Sequence, residues 1–146
     1  MRFFKVCKAF ANQNINLPKR ATKGSAGYDL EAAIDVEIKA GEIVLVPTGL
    51  KVSMDQDDVL LVYPRSSLAL KKGVMMANNV GVVDSDYYDN PNNEGHLMVP
   101  LYNFRTTDVS IQKGERIAQG IFQKYGITQD DEAKGVRAGG FGSSGN

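Results

Sequence analysis

At 146 residues the chain has room for one domain around one core. Seventeen basic and seventeen acidic side chains cancel, so no net field draws it to DNA, RNA or an anionic membrane, and any phosphate binding must be local. The single Cys7 excludes an internal disulfide and a cysteine zinc site, the single His96 excludes a histidine metal cluster, and no run of about 18 apolar residues is present to span a bilayer.

The opening MRFFKVCKAF is strand-like around Cys7, which reads as a small buried hydrophobe. It is too short and too charged for a signal peptide, and a reducing, cytoplasmic setting is the expectation. In Gly24-Ser25-Ala26-Gly27-Tyr28-Asp29-Leu30 the glycines permit a tight backbone. Asp29 either closes an Asx turn, pairs with an arginine, or holds a hydrated metal. Ile34, Val36 and Ile38 alternate with Asp35, Glu37 and Lys39, which predicts a half-buried strand. A turn at 39–42 leads to a strand over 43–46, broken by Pro47-Thr48-Gly49. Further strands are predicted over 59–63, 97–104, 109–111 and 116–122, the last two joined by a turn at 112–115. Turns every eight to twelve residues favour an all-β sandwich or barrel. Only Ser66-Ser67-Leu68-Ala69-Leu70-Lys71-Lys72 looks helical, with serines suited to its N-cap and lysines to its C-terminal end.

Four places could carry chemistry. At Pro64-Arg65-Ser66-Ser67 a strand gives way to a helix start, where free N–H groups and an arginine fork suit phosphate oxygens; the plain alternative is a cap with a surface arginine. Asp84 follows Gly81-Val82-Val83, where a strand should bury its side chains, and a carboxylate at a hairpin mouth either deprotonates a water or simply turns the chain. The segment around Asp29 is the third place. From Gln129 the composition turns charged and then glycine-rich, ending GVRAGGFGSSGN. Five glycines and two serines cannot bury a core, so 129–146 is expected as a mobile arm on a domain spanning 1–128. That arm is either a linker or a lid whose N–H groups and hydroxyls wrap an anion while Phe141 stacks on a flat ring.

In order, AGYDL at 26–30, PRSSLAL at 64–70, NNVGVVDSDY at 78–87, GERIAQ at 114–119 and RAGGFGSSG at 137–145 resemble the five motifs of the trimeric dUTP pyrophosphatase (dUTPase) family. Each is weak alone; together and in order they are specific. The resemblance implies a distorted jelly-roll-like β-barrel with one short helix and an exchanged, flexible C-terminal arm, assembled as a homotrimer with sites between subunits. It implies hydrolysis of dUTP to dUMP and pyrophosphate with Mg²⁺, which keeps uracil out of DNA and supplies dUMP for dTMP synthesis. By the same resemblance Asp84 is the base that activates water against the α-phosphate. Asn78 reads uracil with backbone groups near Val82, Val83 and Met98, and Tyr87 packs on the deoxyribose. Arg65, Ser66, Ser67 and Gln119 meet the phosphates, and Asp29 supports Arg65 and the water shell of Mg²⁺. Arg137, Phe141, Gly142, Ser143 and Ser144 form the closing arm. Two features depart from the family pattern: residues 88–94 lengthen the hairpin tip before Gly95, and Arg137 stands four rather than five residues before Phe141. A dCTP deaminase shares the fold and an Arg-Ser-Ser segment, but Asp84 and the Gly-Gly-Phe-Gly tail argue against it. A nucleotide-dependent partner-binding protein, docking through 88–94, is the other alternative.

Overall fold

The computed structural model describes residues 1–140, so Phe141, Gly142, Ser143 and Ser144 of the expected arm lie outside the described residues. Alternation builds the strands. In β6 (Asp58–Pro64) Asp58, Leu60 and Val62 are buried while Val59, Leu61 and Tyr63 face outward. Antiparallel pairing with β11 (Arg116–Lys124) and β8 (Gly81–Asp84), and of β11 with β2 (Tyr28–Glu31), gives a four-stranded sheet in the order β2-β11-β6-β8. A second sheet orders β4 (Ile43–Pro47), β9 (Met98–Asn103) and β7 (Val74–Met76) as β4-β9-β7. Two short pairs complete the fold: β1 (Phe3–Val6) with β5 (Leu50–Ser53), and β3 (Val36–Ile38) with β10 (Val109–Ile111). The architecture is all-β and jelly-roll-like, with one short helix. Leu30, Leu60 and Ile117 of the first sheet and Val46, Val74, Val99 and Leu101 of the second belong to one core cluster. Burying such side chains stabilises the fold by roughly 1.5–3 kcal/mol each. Among the described residues no helix is long and apolar enough to cross a membrane.

Several boundaries differ from the alternation. The strand expected from Ile34 begins at Val36, and Ile34 is 42% exposed, because β10 offers partners only to 36–38. The glycine segment at 24–30, open to a turn reading, ends in strand β2, paired with β11. The helix α1 spans Ser66–Lys72 as expected, closed by Gly73 at φ 66°, which donates its N–H to the Ala69 carbonyl. Its N-cap is Arg65 rather than a serine, and no side chain caps the first turn.

The insertion at 88–94 is bound to the body. Lys51 Nζ, on a side chain 7% exposed, donates to Asp89 at 2.5 Å and Glu94 at 2.7 Å. The Glu94 carboxylate also accepts from the Lys8 N–H at 3.0 Å, and Tyr88 stands edge-on to Phe3. Beneath them Cys7 is buried, and burial pushes its thiol up to about 11, so it stays an inert hydrophobe. The strand faces turned away from the core are not uniformly polar. Ile43 (60% exposed), Leu45 (43%) and Met75 (39%) flank Pro100 and Tyr102 in register across β4-β9-β7. Val82, Leu61 and Ile121 likewise line up across β8, β6 and β11. An antiparallel sheet facing water on one side normally carries polar residues there.

Candidate active site

The turn at 77–80 carries the chain from one sheet to the other. Asn79 there adopts φ 61°, and the Val80 N–H donates to the Asn78 carbonyl at 2.7 Å. Strands β8 and β9 therefore belong to different sheets, and a cavity of about 230 Å³ opens between them. Buried Leu30, Val62 and Met76 line its depth, and Asn78, Val83, Tyr87 and Met98 line its sides. The volume lies below the ~300–1,000 Å³ usual for drug-sized ligands, which suits a base and sugar but not a phosphate chain as well. Gly81 sits close to the opposite wall: a Cβ there would stand 3.3 Å from Val62 Cβ, which would have to give by a few tenths of an ångström. The Asn78 side chain is exposed, so its amide donor and acceptor are open to a ligand.

Asp84 ends β8 opposite Val59, and a short 3-10 turn, Ser85–Tyr87, follows it. Its side chain is half exposed at the cavity. Tyr87 is buried. Its hydroxyl donates to the His96 carbonyl at 2.7 Å and accepts from Asn93 Nδ2 at 2.9 Å. Burial pushes the phenol upward, which keeps its proton in place. His96 is held neutral: Gly49 N–H donates to its Nε2 at 2.9 Å, Phe10 packs on its ring, and burial lowers its pKa.

Residues 125–140 contain no helix or strand and run back past Gln56 to the turn after β8. Tyr125 donates to the Gln56 carbonyl at 3.0 Å. Arg137 donates through Nη2 to Asp84 at 2.6 Å and through Nε to Asp86 at 2.7 Å, with its guanidinium 5.7 Å above the Tyr87 ring centroid. Such charge-assisted bonds are the strong kind.

A second group lies elsewhere on the four-stranded sheet. Register aligns Asp29, Gln119 and Tyr63 across β2, β11 and β6. Asp29 is shared by Arg65 Nε at 3.6 Å and Arg116 Nη1 at 3.5 Å. Gln119 donates to the Pro64 carbonyl at 3.3 Å. Gly27 packs against it: a Cβ there would fall 2.4 Å from Gln119 Oε1, so the end of that side chain would have to swing away. Arg65 and Ser67 line a cleft with Lys71 and Arg116, and Ser66 is the first residue of α1. Between Val59, opposite Asp84, and Tyr63, opposite Gln119, β6 advances four residues, roughly 13 Å at strand rise.

One chain therefore brings together Asn78, Val82, Val83, Asp84, Tyr87, Met98 and Arg137 at the cavity. It gathers Asp29, Arg65, Ser66, Ser67 and Gln119 separately. Sequence reasoning missed Asp86 as a partner of Arg137, and Arg116 as a second partner of Asp29. It also missed Asn93, for which the asparagine-rich tip gave no signal beyond a turn.

A family model described as dUTPase matches residues 13–145. The deoxyuridine 5'-triphosphate nucleotidohydrolase of Lactococcus lactis is 50% identical over 147 residues, 99% of this chain and 98% of that one. Its counterpart from Pectobacterium carotovorum is 39% identical over 149 residues, 97% of this chain and 94% of that one. The crystal structure of the Streptococcus mutans dUTPase matches with a TM-score of 0.84 at 45% identity, covering 87% of this chain and 98% of that one. With the five motifs, the jelly-roll-like fold and the cavity at Asp84 in hand, these likenesses establish that the chain belongs to the dUTPase family.

Proposed function

We propose that this chain hydrolyses dUTP to dUMP and pyrophosphate, with Asp84 as the general base. The observation that carries the reading is the half-exposed Asp84 carboxylate at the mouth of a nucleoside-sized cavity walled by Asn78, Val83, Tyr87 and Met98. Asn78 and backbone groups of Val82, Val83 and Met98 read uracil's edge. Cytosine meets the same groups with its donor and acceptor exchanged, which leaves buried polar atoms unpaired. Thymine's methyl is excluded by the narrow walls, and Tyr87 beneath the sugar leaves no room for a 2′-hydroxyl.

Asp84 accepts a proton from water as the water oxygen attacks the α-phosphorus. The bond from that phosphorus to the bridging oxygen breaks, and pyrophosphate leaves with the electron pair. Arg65, Ser66, Ser67 and Gln119 meet the charge that develops. In the free chain Asp84 is paired with Arg137, and the phosphates of a bound nucleotide compete for that arginine, releasing the carboxylate. The arm, 129–146, then leaves its own Asp84 and closes over a neighbouring copy's site, with Arg137, Gly142, Ser143 and Ser144 on the phosphates and Phe141 over the base.

Among the described residues no three His, Cys, Asp or Glu side chains converge on a point that could hold a metal. Asp29 is already shared by two arginines. This donor set fits a hydrated Mg²⁺ carried by the triphosphate, with Asp29 touching its water shell. When bound, the ion supplies neutralising charge on the phosphates. The sites lie between copies in a homotrimer. The roughly 13 Å of β6 between the base and Gln119 exceeds any single hydrogen-bond reach, and the outward apolar rows across both sheets supply surface for association.

The test is pyrophosphate release from dUTP, dCTP, dTTP and UTP with Mg²⁺, for wild type and Asp84→Asn. Strong preference for dUTP and loss of turnover in Asp84→Asn are expected. Equal rates on the four substrates, or ammonia release from dCTP, would overturn the reading.

A further inference from the structure

The insertion at 88–94 meets Tyr87 through Asn90, at its carbonyl, and through Asn93, at its hydroxyl. The side-chain oxygen of Asn93 accepts from Asn90 Nδ2 at 2.8 Å and from the Gly95 N–H at 3.1 Å. Those two bonds fix which end of the amide is which. Nδ2 then has one direction left, and it donates to the Tyr87 hydroxyl at 2.9 Å. The same hydroxyl donates to the His96 carbonyl, so the phenol is held from two sides. Asn90, which orients Asn93, is buried and also donates to the Tyr87 carbonyl at 2.8 Å. The loop itself is anchored by the buried Lys51 through Asp89 and Glu94. A further neighbour is the arm: Gly140 is buried, and a Cβ there would fall 2.5 Å from Asn93 Nδ2. Backbone of the arm thus lies directly on the amide that holds Tyr87.

From this geometry we infer that Asn93 is a positioning residue that sets sugar selectivity, by locking the Tyr87 ring against the displacement a 2′-hydroxyl would demand. The inference rests on the reading of Tyr87 as the surface under the deoxyribose. A platform excludes an extra oxygen only while it cannot move, and two hydrogen bonds to one phenol oxygen remove the tilt that would make room. Lys51, Asp89 and Glu94 anchor the loop, and in the free chain the arm glycine lies against the amide. The insertion therefore serves the pocket.

The experiment measures kcat and KM for dUTP and UTP by pyrophosphate release in the full chain. Asn93→Asp keeps the acceptor for Gly95 and Asn90 but replaces the donor facing Tyr87, and Asn93→Ala removes both. Both variants should narrow the dUTP-over-UTP preference in kcat/KM by about three- to tenfold, the worth of one hydrogen bond, with the change carried by the KM for UTP. In a Tyr87→Phe background, which lacks the hydroxyl, Asn93→Asp should add nothing to the ratio. If Tyr87→Ala narrows the preference while both Asn93 variants leave it as in wild type, the inference fails and the platform stands. If Tyr87→Ala itself leaves the preference intact, the platform reading fails and takes Asn93 with it. Equal narrowing by Asn93→Asp with and without the Tyr87 hydroxyl would also overturn the inference, because the effect would not run through the phenol.

Discussion

The cavity at Asp84 and the cluster at Arg65 are built differently. The cavity is recessed: Leu30, Val62 and Met76 line its depth, and Tyr87 is fixed by two bonds to its hydroxyl. The Arg65 cluster is open. Its ion pairs to Asp29 stand at 3.6 and 3.5 Å, and the Arg116 side chain is half exposed. Reading a flat base depends on buried donors and acceptors in fixed positions, which one chain can assemble from its own core. Holding phosphates depends on charge and forked donors, which act from a surface and across a subunit boundary. Under the proposed function, that difference separates a recessed nucleoside pocket on one protomer from a phosphate site that other copies complete.

The strongest test of that contrast is at the base itself. Asp84→Asn should lower kcat by about 10²–10⁴, the range of a lost general base, while circular dichroism and thermal unfolding stay near wild type. The fold should tolerate it because Asp84 is half exposed and its partner is Arg137, outside the core. A turnover within twofold of wild type would remove Asp84 from the mechanism. Next in size is Arg65→Ala, expected to cost about 10²–10³ in kcat/KM for dUTP through lost phosphate stabilisation. It should leave discrimination among dUTP, dCTP and UTP unchanged, since the base is read elsewhere; a changed substrate ratio would merge the two regions into one. Deleting 129–146 should cut turnover by about tenfold or more, from the loss of a charge-assisted clamp, while size-exclusion chromatography still shows a trimer.

A smaller effect separates the regions by sterics alone. Gly27→Ala would drive a Cβ into Gln119 Oε1 at 2.4 Å and push that side chain off the Pro64 carbonyl. Activity should fall by about tenfold, within reach of one displaced positioning group, with substrate preference again intact. Retained activity would mean that Gln119 plays no part at the phosphates.

Much of this was legible in the chain. The apolar run at 59–63 ended by Pro64, the helix at 66–72 with its serines and lysines, and the pair 109–111 with 116–122 were readable from the residues. The candidate site residues were named by resemblance, motif by motif, and the structure brings one set of them to the cavity and another to the Arg65 cluster. What alternation could not give was pairing. Tyr28–Glu31 looks like a glycine turn until the edge of β11 is there to bind it, and Ile34 drops out of β3 because nothing lies opposite it. Asn93 was invisible for a similar reason. Asn-Pro-Asn-Asn reads as a loop, and only the fold brings its third asparagine against Tyr87. A four-residue spacing to Phe141 likewise gave no hint that Arg137 lies between Asp84 and Asp86 in the free chain.

The smallest expected effect concerns the strand both regions share. One residue before Val59, the partner of Asp84, Asp58 is fully buried. Arg2 grips its carboxylate at 2.8 and 2.7 Å, Lys124 Nζ stands at 3.0 Å, and the Asp55 N–H donates at 3.2 Å. The Arg2 guanidinium above all, helped by Lys124, holds this carboxyl well below the usual range near ~3.9. The unfolded chain therefore takes up the proton first as pH falls. The group's contribution to stability is complete above about pH 5 and drains away as pH drops below the ordinary carboxylate value toward its lower folded one. Melting temperature should accordingly decline between about pH 5 and pH 3. Asp58→Asn should melt lower at neutral pH, because it leaves Arg2 and Lys124 without their charge partner, and its curve should be flatter in the acid range. Since Asp58 braces the end of β6 that pairs with Asp84, the loss should weaken nucleoside affinity more than phosphate affinity. Binding of deoxyuridine and of pyrophosphate, compared in the variant, would read that difference directly, and equal losses would mean that the strand transmits the damage to both ends.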